Sequence, residues 1–429
     1  MKRLFTLESF SLLVLLALGF SSCKDTYMER KSYSAYVPQY MSYQDMRTPP
    51  KLKSASDISE PGKIYIKGQY LFINEKYKGI HIYDNSNPAS PVNMAFIDIP
   101  GNVDMAVKGD YLYADNYVDL LVMNISNIQN PVQVARMQNL FPYTIPEIED
   151  YSYPISNIDQ EKGVITGWEV KKITENVEHG SLGGPIYMFD KMSNGFYTAE
   201  SAASSSNTLI GVGGSLARFI IIDNYFYGLN QTDMQVVDIH EPDDPQVGNK
   251  ITMQRMVETV FIDSCYLFVG SQTGMLIYNV SDPSNPALIT NYDHFQSCDP
   301  VVVQDNIAYI TMRAGNRCGN FQNAMDVVDL HNISSPQLLK SYTLNEPYGL
   351  GIDNKKLFVC DGSSGLKVYD ATDPLNIDQH LLQTFNGITA TDVIPNNGVL
   401  ILVAADGLYQ YDYSDVNNLQ LLSKISFGK

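Results

Sequence analysis

The stretch that decides the fold is Met275–Pro286, which reads MLIYNVSDPSNP. Four apolar residues lead to Asn279, and a short run rich in Ser, Asp, Asn and Pro follows directly. Asx and Ser side chains bond to nearby backbone groups in turns, and proline cannot continue the hydrogen-bond ladder of a strand. The stretch therefore predicts a β-strand that ends in a tight turn.

The same strand and turn occur seven times along the chain. Each strand ends in an Asp or Asn, and these residues are Asp84, Asn124, Asp238, Asn279, Asp329, Asp370 and Asp412. Their spacings are 40, 114, 41, 50, 41 and 42 residues. A period of about 40 residues with four short strands is typical of one propeller blade. The pattern predicts an all-β protein, a β-propeller with seven blades of four antiparallel strands.

The repeats divide the chain into seven blades with one long interruption. The predicted blades are residues 61–101, 102–142, 216–254, 255–296, 297–346, 347–388 and 389–429. The long spacing leaves residues 143–212, which we interpret as an insertion, and a degenerate eighth blade is the alternative. We expect residues around 50–60 to supply a strand that closes the ring.

The N-terminus has the features of an export signal. Lys2 and Arg3 precede an apolar run over residues 9–20 that is too short to span a bilayer comfortably. The next residues end in Cys23, and LGFSSC resembles a bacterial lipobox, with Phe20 where leucine is usual. The resemblance implies removal of residues 1–22 and acylation of Cys23; an ordinary secreted protein is the alternative. Residues 23–55 then form a polar tether to a propeller domain over 56–429.

Charge excludes some partners. The chain has 29 Lys and Arg against 47 Asp and Glu, a formal net charge of −18, with no block of like charge. An acidic surface disfavours nucleic acid and anionic membrane surfaces. We therefore expect no nucleic-acid partner, and contact with a membrane only through the lipid anchor.

The repeat also resembles a known family. The pattern kept best in Met275–Pro286 is similar to the LVIVD repeat, whose family comprises β-propeller proteins, many of them surface lipoproteins of Bacteroidetes. The resemblance covers residues 61–429 apart from the insertion. It implies the propeller fold and a lipid-anchored location at the outer membrane or cell surface, and almost nothing about activity.

Two irregular segments are expected on one rim of the propeller. If the first strand of each blade is innermost, the loops between strands 2 and 3 and the linkers between blades share that rim. The insertion and a widened loop over residues 312–325 both lie there.

Cys298 in a linker and Cys318 in that loop are expected to form a disulfide, as paired cysteines do in LVIVD-type lipoproteins; two free thiols are the alternative. In the chain-entropy model such a bond is worth roughly 3 kcal/mol.

The candidate ligand-binding residues come from the same rim. In the insertion, Trp168, Tyr151 and Tyr153 lie beside carboxylates, a combination that suits a glycan or peptide; packing without a ligand is the alternative. The widened loop adds Arg313 and Arg317.

The channel mouth adds a ring of residues from the starts of the inner strands. By repeat alignment these are Lys63, Asp104, Arg218, Glu258, Asp299, Tyr348 and Asp392. The acids could hold a divalent cation such as calcium. The preferred interpretation is a solvated ring without a cofactor, in which Lys63 and Arg218 neutralise their neighbours.

The sequence contains no strong signal for an enzyme. Its six histidines form no pair with zinc-site spacing, and no Gly-x-Ser-x-Gly motif occurs. The favoured hypothesis is a binding module for a glycan, peptide or protein ligand. The alternative is a metal-assisted hydrolase or lyase acting at the acidic mouth of the channel.

Overall fold

The structure is a computed structural model, and it divides into two units that we describe separately. It describes residues 28–146, 148, 150, 152–178, 212–213, 218–230, 232–253, 255–271, 273–293, 300–314 and 322–428. The larger unit comprises Ser42–Ile145 and Asn194–Lys429, and the smaller one Met1–Met41 and Pro146–Ser193. Among the described residues, no helix is both long enough and apolar enough to cross a membrane.

The elements that precede or interrupt the blades are few. In the described part of the chain they are β1 (Met28–Met41), α1 (Tyr43–Met46) and β2 (Lys51–Ser54) before blade 1. Between blades 2 and 3 lie a 3-10 helix (Gln160–Lys162), β11 (Val164–Glu178) and β12 (Val212–Gly213).

Seven blades of four antiparallel strands form the propeller of the larger unit, and in blade 1 the short strands β12, beside β3, and β2, beside β6, extend the sheet to six strands. Blade 1 is β3 (Pro61–Lys67), β4 (Tyr70–Glu75), β5 (Gly79–Asp84) and β6 (Val92–Asp98). Blade 2 is β7 (Met105–Lys108), β8 (Tyr111–Asn116), β9 (Asp119–Asn124) and β10 (Val132–Met137). Blade 3 is β13 (Phe219–Ile222), β14 (Tyr225–Leu229), β15 (Asp233–Asp238) and β16 (Gln246–Thr252). Blade 4 is β17 (Val257–Asp263), β18 (Tyr266–Ser271), β19 (Gly274–Asn279) and β20 (Ala287–Asp293).

The remaining three blades repeat the arrangement. Blade 5 is β21 (Val301–Gln304), β22 (Ile307–Met312), β23 (Ala324–Asp329) and β24 (Gln337–Thr343). Blade 6 is β25 (Leu350–Asp353), β26 (Lys356–Cys360), β27 (Leu366–Asp370) and β28 (Leu381–Phe385). Blade 7 is β29 (Ala390–Asn396), β30 (Val399–Ala404), β31 (Gly407–Asp412) and β32 (Gln420–Ser426). The first strands of successive blades contact one another, so they are innermost, and the prediction of seven blades is confirmed.

The turn chemistry that predicted the fold is present in every blade. The side chain of each repeated Asp or Asn accepts a hydrogen bond from the backbone N–H two residues later, as Asn279 does from Ser281 at 2.8 Å. Just before this turn, strands 3 and 4 of every blade shift register by one residue, a β-bulge that increases the local twist.

Apolar side chains between the blades hold the ring together, including where it closes. Ile394 and Ile401 of blade 7 pack with Ile64 and Ile73 of blade 1 in one buried cluster. All four strands of each blade are consecutive in the chain. The expected closing strand from residues around 50–60 is not present, because Lys51–Ser54 pairs with the outer edge of blade 1. Ile58 does take part in the closure, since it packs in this cluster and its carbonyl accepts a hydrogen bond from the backbone N–H of Gly428 at 2.6 Å.

The smaller unit is a long two-stranded ribbon. Strand β1 pairs antiparallel with β11 over 14 residues, from Met28 opposite Glu178 to Met41 opposite Val164. Sequence reasoning placed β1 in a tether and β11 in an insertion, and it missed their pairing. The described part of residues 143–212 contains no four-stranded sheet, which agrees with an insertion and not with an eighth blade.

Candidate ligand-binding cavity

A cavity of about 290 Å³ opens between blades 2 and 3. It is bounded by the starts of β7 and β13, the turns after β8 and β14, and the segment after β10. The lining residues are Val103, Asp104, Asp115, Tyr117, Phe141, Pro142, Tyr143, Thr144, Arg218, Phe219, Leu229, Asn230, Thr232 and Asp233. In these two blades, inter-blade linkers and loops between strands 2 and 3 share one rim, as the repeat alignment predicted.

Asp115 forms the floor of the cavity and is almost completely buried. Its Oδ1 accepts hydrogen bonds from the backbone N–H groups of Val103 (2.8 Å) and Asp104 (2.9 Å) and from Asn102 Nδ2 (2.7 Å). Asn102 is itself held by Asn74 of blade 1, whose Nδ2 donates to Asn102 Oδ1 at 2.7 Å. Among the described residues, every hydrogen bond to the Asp115 carboxyl goes to Oδ1, and the residue lines the cavity.

A second buried carboxyl, Asp104, joins the two blades. Its Oδ2 accepts from the backbone N–H of Arg218 at 2.6 Å, and its Oδ1 from that of Met105 at 2.7 Å. Burial raises the pKa of Asp104, while the charges of Lys63 and Arg218 act to lower it. Burial also raises the pKa of Asp115, to about 7, against its hydrogen bonds and the charge of Arg218. Two carboxyls and two cations therefore lie close together beneath the cavity.

The blade repeat is broken where the cavity lies. Asp115 lies opposite the residue four positions before the Asp or Asn that ends strand 3. In the other blades this position is occupied by Asn74, Leu229, Gly270, Thr311, Cys360 and Val403. Blade 2 alone has a charged side chain there. The position five residues before that Asp or Asn is Gly or Ala in five blades, but Asp119 in blade 2 and Asp233 in blade 3. The two blades that bound the cavity are thus the ones that depart from the repeat.

The wall of the cavity is aromatic. Phe141 stacks on Phe219, with ring centroids 5.3 Å apart and planes 15° from parallel. Tyr117 lies over Gly101, where an added Cβ would come within 2.3 Å of the tyrosine ring, and Gly101 also has a φ of +75°. Only glycine accepts that conformation and that approach without strain. Gly101 therefore helps to position Tyr117.

A buried ion cluster anchors the turn that carries Tyr117. Asp119 is fully buried and accepts two hydrogen bonds from Arg47, at 2.9 and 3.1 Å, and one from Arg136 at 3.1 Å. Its Oδ1 also accepts from the backbone N–H of Asn139 at 2.9 Å, close to Phe141. The cluster therefore ties strand β9, the segment after α1 and the cavity wall to one carboxylate.

The structure brings together some of the residues predicted from sequence and separates others. Asp104 and Arg218 line the cavity. Arg313 stacks on Tyr348 with 4.0 Å between its guanidinium carbon and the ring centroid, at a different part of the rim. Asp392 is buried on β29. The predicted residues Cys23, Tyr151, Cys298, Asp299, Arg317 and Cys318 lie outside the described residues.

Trp168 and Tyr153 belong to the smaller unit, where both pack edge-on against Tyr36, at centroid distances of 6.3 and 5.8 Å. The Trp168 indole N–H donates to the carbonyl of Pro146 at 2.9 Å. These rings contribute to the packing of the ribbon itself.

The expected solvated ring at the channel mouth is wrong for four of its residues. Lys63, Asp104, Arg218 and Asp392 are all at least nine-tenths buried, because adjacent inner strands pack closely.

Sequence reasoning also missed Asp115, Tyr117, Phe141 and Phe219. The signal for Asp115 was present, since it is a carboxyl at a neutral position of the repeat. Within the described ranges, no three His, Cys, Asp or Glu side chains group as metal ligands.

Comparisons with known proteins agree with the architecture. The LVIVD repeat matches residues 57–98, 101–138, 254–294 and 297–344, which contain blades 1, 2, 4 and 5. The chain therefore contains LVIVD repeats in a seven-bladed β-propeller. No curated protein matches the chain.

Several solved structures share the fold at low identity. A protein from Lactobacillus plantarum superposes with a TM-score of 0.54 and 12% identity, over 86% of this chain and 96% of its own. The periplasmic gluconolactonase PpgL of Pseudomonas aeruginosa gives 0.52 and 10%, over 89% and 97%. The computationally designed protein Ika8 gives 0.50 and 11%, over 87% and 90%. At these identities the likeness concerns the fold alone.

Proposed function

We propose that this protein is an exported, lipid-anchored binding protein whose propeller takes a small ligand in the cavity between blades 2 and 3. The observation that carries the proposal is the buried carboxyl of Asp115, which lines an aromatic-walled cavity and receives its three hydrogen bonds on Oδ1. Small-molecule sites are typically concave and mostly apolar, with a few polar groups that orient the ligand. A rigid scaffold that carries the binding groups on its loops is a common arrangement for such sites.

The local break in the repeat supports this site over others on the rim. A carboxyl buried at a position that is neutral in six blades is costly unless the protein gains something from it. Perturbed carboxyls in a cavity are also frequent at functional sites. The stacked Arg313 and Tyr348, in contrast, contact each other, and Tyr348 donates a hydrogen bond to Glu346 at 3.1 Å.

Closing the cavity is expected to abolish ligand binding without unfolding the protein. Thr232 is exposed at the cavity mouth, so Thr232→Trp covers the opening and leaves the core intact. The measurement is ligand-observed NMR with a library of neutral and charged fragments. Thr343→Trp, an equally exposed threonine on the outer strand of blade 5, is the matched control. Fragments that bind both variants equally well, with none lost in Thr232→Trp, would refute the proposed site.

The lipid anchor is a separate part of the proposal and rests on the lipobox-like LGFSSC ending at Cys23. Several acyl chains give stable membrane attachment where one does not. By its resemblance to LVIVD lipoproteins of Bacteroidetes, we place the protein at the outer membrane or cell surface.

Replacing Cys23 by serine is expected to move the protein from the membrane to the soluble fraction, or to leave it unprocessed. Immunoblots of fractionated cells, with mass spectrometry of the mature N-terminus, measure both effects. Cys265→Ser, which changes a cysteine inside the propeller, is the control and should stay in the membrane fraction. A Cys23→Ser protein that is processed and stays in the membrane pellet contradicts the anchor.

A second candidate function, a hydrolase or lyase at the same cavity, is favoured by one observation. Burial raises the pKa of Asp115 to about 7, in the range where a carboxyl transfers protons efficiently at neutral pH. Turnover of model lactones and esters, with and without calcium, that is lost in Asp115→Asn would support it. Equal background rates for the wild type and the variant would exclude it for those substrates.

A further inference from the structure

The two-stranded ribbon of the smaller unit begins close to the expected lipid anchor. Its first strand starts at Met28, five residues after Cys23. An extended chain advances at most about 3.6 Å per residue, so Met28 lies within about 18 Å of an acylated Cys23. Glu178 pairs with Met28 at the same end of the ribbon. That end is therefore confined to the neighbourhood of the lipid headgroups.

The ribbon is long enough to reach well beyond the headgroups. Its cross-strand pairs run from Met28 opposite Glu178 to Met41 opposite Val164. At a rise of about 3.3 Å per residue, the two ends of β1 are roughly 43 Å apart. Ser42, the first residue of the larger unit, follows Met41 directly in the chain. The ribbon thus places its own length between the anchor and the start of the larger unit.

Contacts along the ribbon hold its two strands together. An isolated two-stranded ribbon is only marginally stable in water, so such contacts decide whether it stays paired. In the half nearer to the larger unit along the chain, the Tyr36 N–H donates to the Pro154 carbonyl and the Ser156 N–H to the Tyr36 carbonyl, both at 2.9 Å. In the outer half, the hydroxyls of Ser32 and Thr174 bond across the strands at 2.7 Å. Both halves of the ribbon are therefore fastened.

The outer half of the ribbon has no broad apolar face with which to lie flat in a lipid surface. Segments that lie in the membrane interface bury an apolar face there. On one face, the half-buried Tyr33 and Ile173 lie between the exposed Lys31 and Lys171. Because side chains alternate between the two faces of a strand, the other face carries only exposed polar residues. These are Arg30, Ser32, Ser34, Lys172, Thr174 and Asn176.

Charge favours the same orientation. Residues 28–34 and 171–178 contain four cations against three carboxylates, whereas the whole chain has a formal net charge of −18. An anionic lipid surface attracts cations and repels an acidic body. The outer end of the ribbon therefore suits such a surface better than the acidic remainder of the chain does.

From these observations we infer that the ribbon is a stalk, whose outer end at Met28 and Glu178 faces the lipid headgroups and whose length holds the start of the propeller unit away from them. Residues 28–41, expected from sequence to belong to a tether, are then a spacer of fixed length. The inference rests on the lipid anchor of the proposed function.

The test compares two labelled positions in acylated full-length protein reconstituted into vesicles of phosphatidylethanolamine and phosphatidylglycerol. A fluorescent amino acid replaces either Asn176, near the outer end of the ribbon, or Gln44, three residues beyond its inner end; both are exposed. Nitroxide groups on the lipid headgroups quench fluorescence only at short range. Quenching at Asn176 should be at least threefold stronger than at Gln44. Equal quenching at the two positions overturns the stalk.

Proline substitution tests whether strand pairing sets this distance. Of two successive residues in a strand, one directs its N–H to the partner strand, so Lys171→Pro with Lys172→Pro removes a ladder hydrogen bond in the middle of the ribbon. Quenching at Gln44 should then rise at least twofold. Lys171→Thr with Lys172→Thr removes the same charges but favours a strand, and should match the wild type. A proline variant that leaves quenching at both positions unchanged also overturns the stalk.

The outcomes separate the stalk from the lipid anchor. Mass spectrometry of the same preparation shows whether Cys23 carries acyl chains. Acylated protein with equal quenching at Asn176 and Gln44 contradicts the stalk and leaves the anchor in place. Protein without acyl chains contradicts the anchor, and the stalk fails with it.

Discussion

Replacing Asp119 by alanine is expected to lower the free energy of unfolding by about 3–5 kcal/mol. The carboxylate is fully buried and carries hydrogen bonds from Arg47, Arg136 and the backbone of Asn139. The Arg136 side chain is 7% exposed, so its charge would be left without its counter-ion in a poorly hydrated site. Removing one partner of a buried ion pair costs far more than the pair contributes as a whole. Urea-induced unfolding followed by circular dichroism measures the change.

Asp406→Ala is the matched control. Asp406 pairs with Lys424 at 2.5 Å, but its side chain is 60% exposed, and exposed ion pairs contribute about 0–1 kcal/mol. If both substitutions cost the same, the Asp119 cluster is not the anchor that we describe. The cluster also holds the turn of Tyr117, so Asp119→Ala should weaken ligand binding as well.

The second large effect is a pH dependence that comes from Asp115. Burial raises the pKa of this carboxyl from about 3.8 to about 7 in the folded protein. Between these pH values the folded state holds a proton that the unfolded chain has released, so stability falls as pH rises. Over this pH interval the free energy of unfolding falls by roughly 4 kcal/mol, at about 1.4 kcal/mol per pKa unit. Above pH 7 the folded protein has released the proton as well, so Asp115 no longer makes stability depend on pH.

Asp115→Asn should remove this dependence. Relative to the wild type, the variant should gain up to roughly 4 kcal/mol of unfolding free energy between pH 4 and pH 7. Lys63, Asp104, Arg218 and Asp233 surround the site and remain in both proteins, so the difference between the two curves reports the titration of Asp115 and its effect on Asp104. Parallel curves across this range would show that Asp115 titrates in the ordinary range of an aspartate.

The fold could be predicted because its signal is local. Each Asp or Asn bonds to the backbone two residues later, and the same turn returns after about 40 residues in most blades. The closing strand was predicted wrongly, since blades 7 and 1 meet through a side-chain cluster and one backbone hydrogen bond, from Gly428 to Ile58, and not through an exchanged strand. The pairing of β1 with β11 joins residues such as Ser32 and Thr174, which are 142 positions apart and share no local turn signal.

The candidate site was predictable only in part. Repeat alignment placed Asp104 and Arg218 at the starts of neighbouring inner strands, and the structure brings them together. Their burial depends on how closely the inner strands pack, which no sequence pattern specifies. Phe141 reaches the cavity through the non-repetitive segment after blade 2, where the alignment has no counterpart. The part of the site built on the repeat was thus accessible from sequence, and the part built on its interruption was not.

The central claim, that the cavity between blades 2 and 3 is the ligand-binding site, is tested most directly by a crystal structure of the protein soaked with the fragment library. The account predicts ligand density between Phe141 and the floor of the cavity, with a polar atom within hydrogen-bonding distance of Asp115 Oδ2. Fragments bound reproducibly elsewhere, with only water in this cavity, would contradict it.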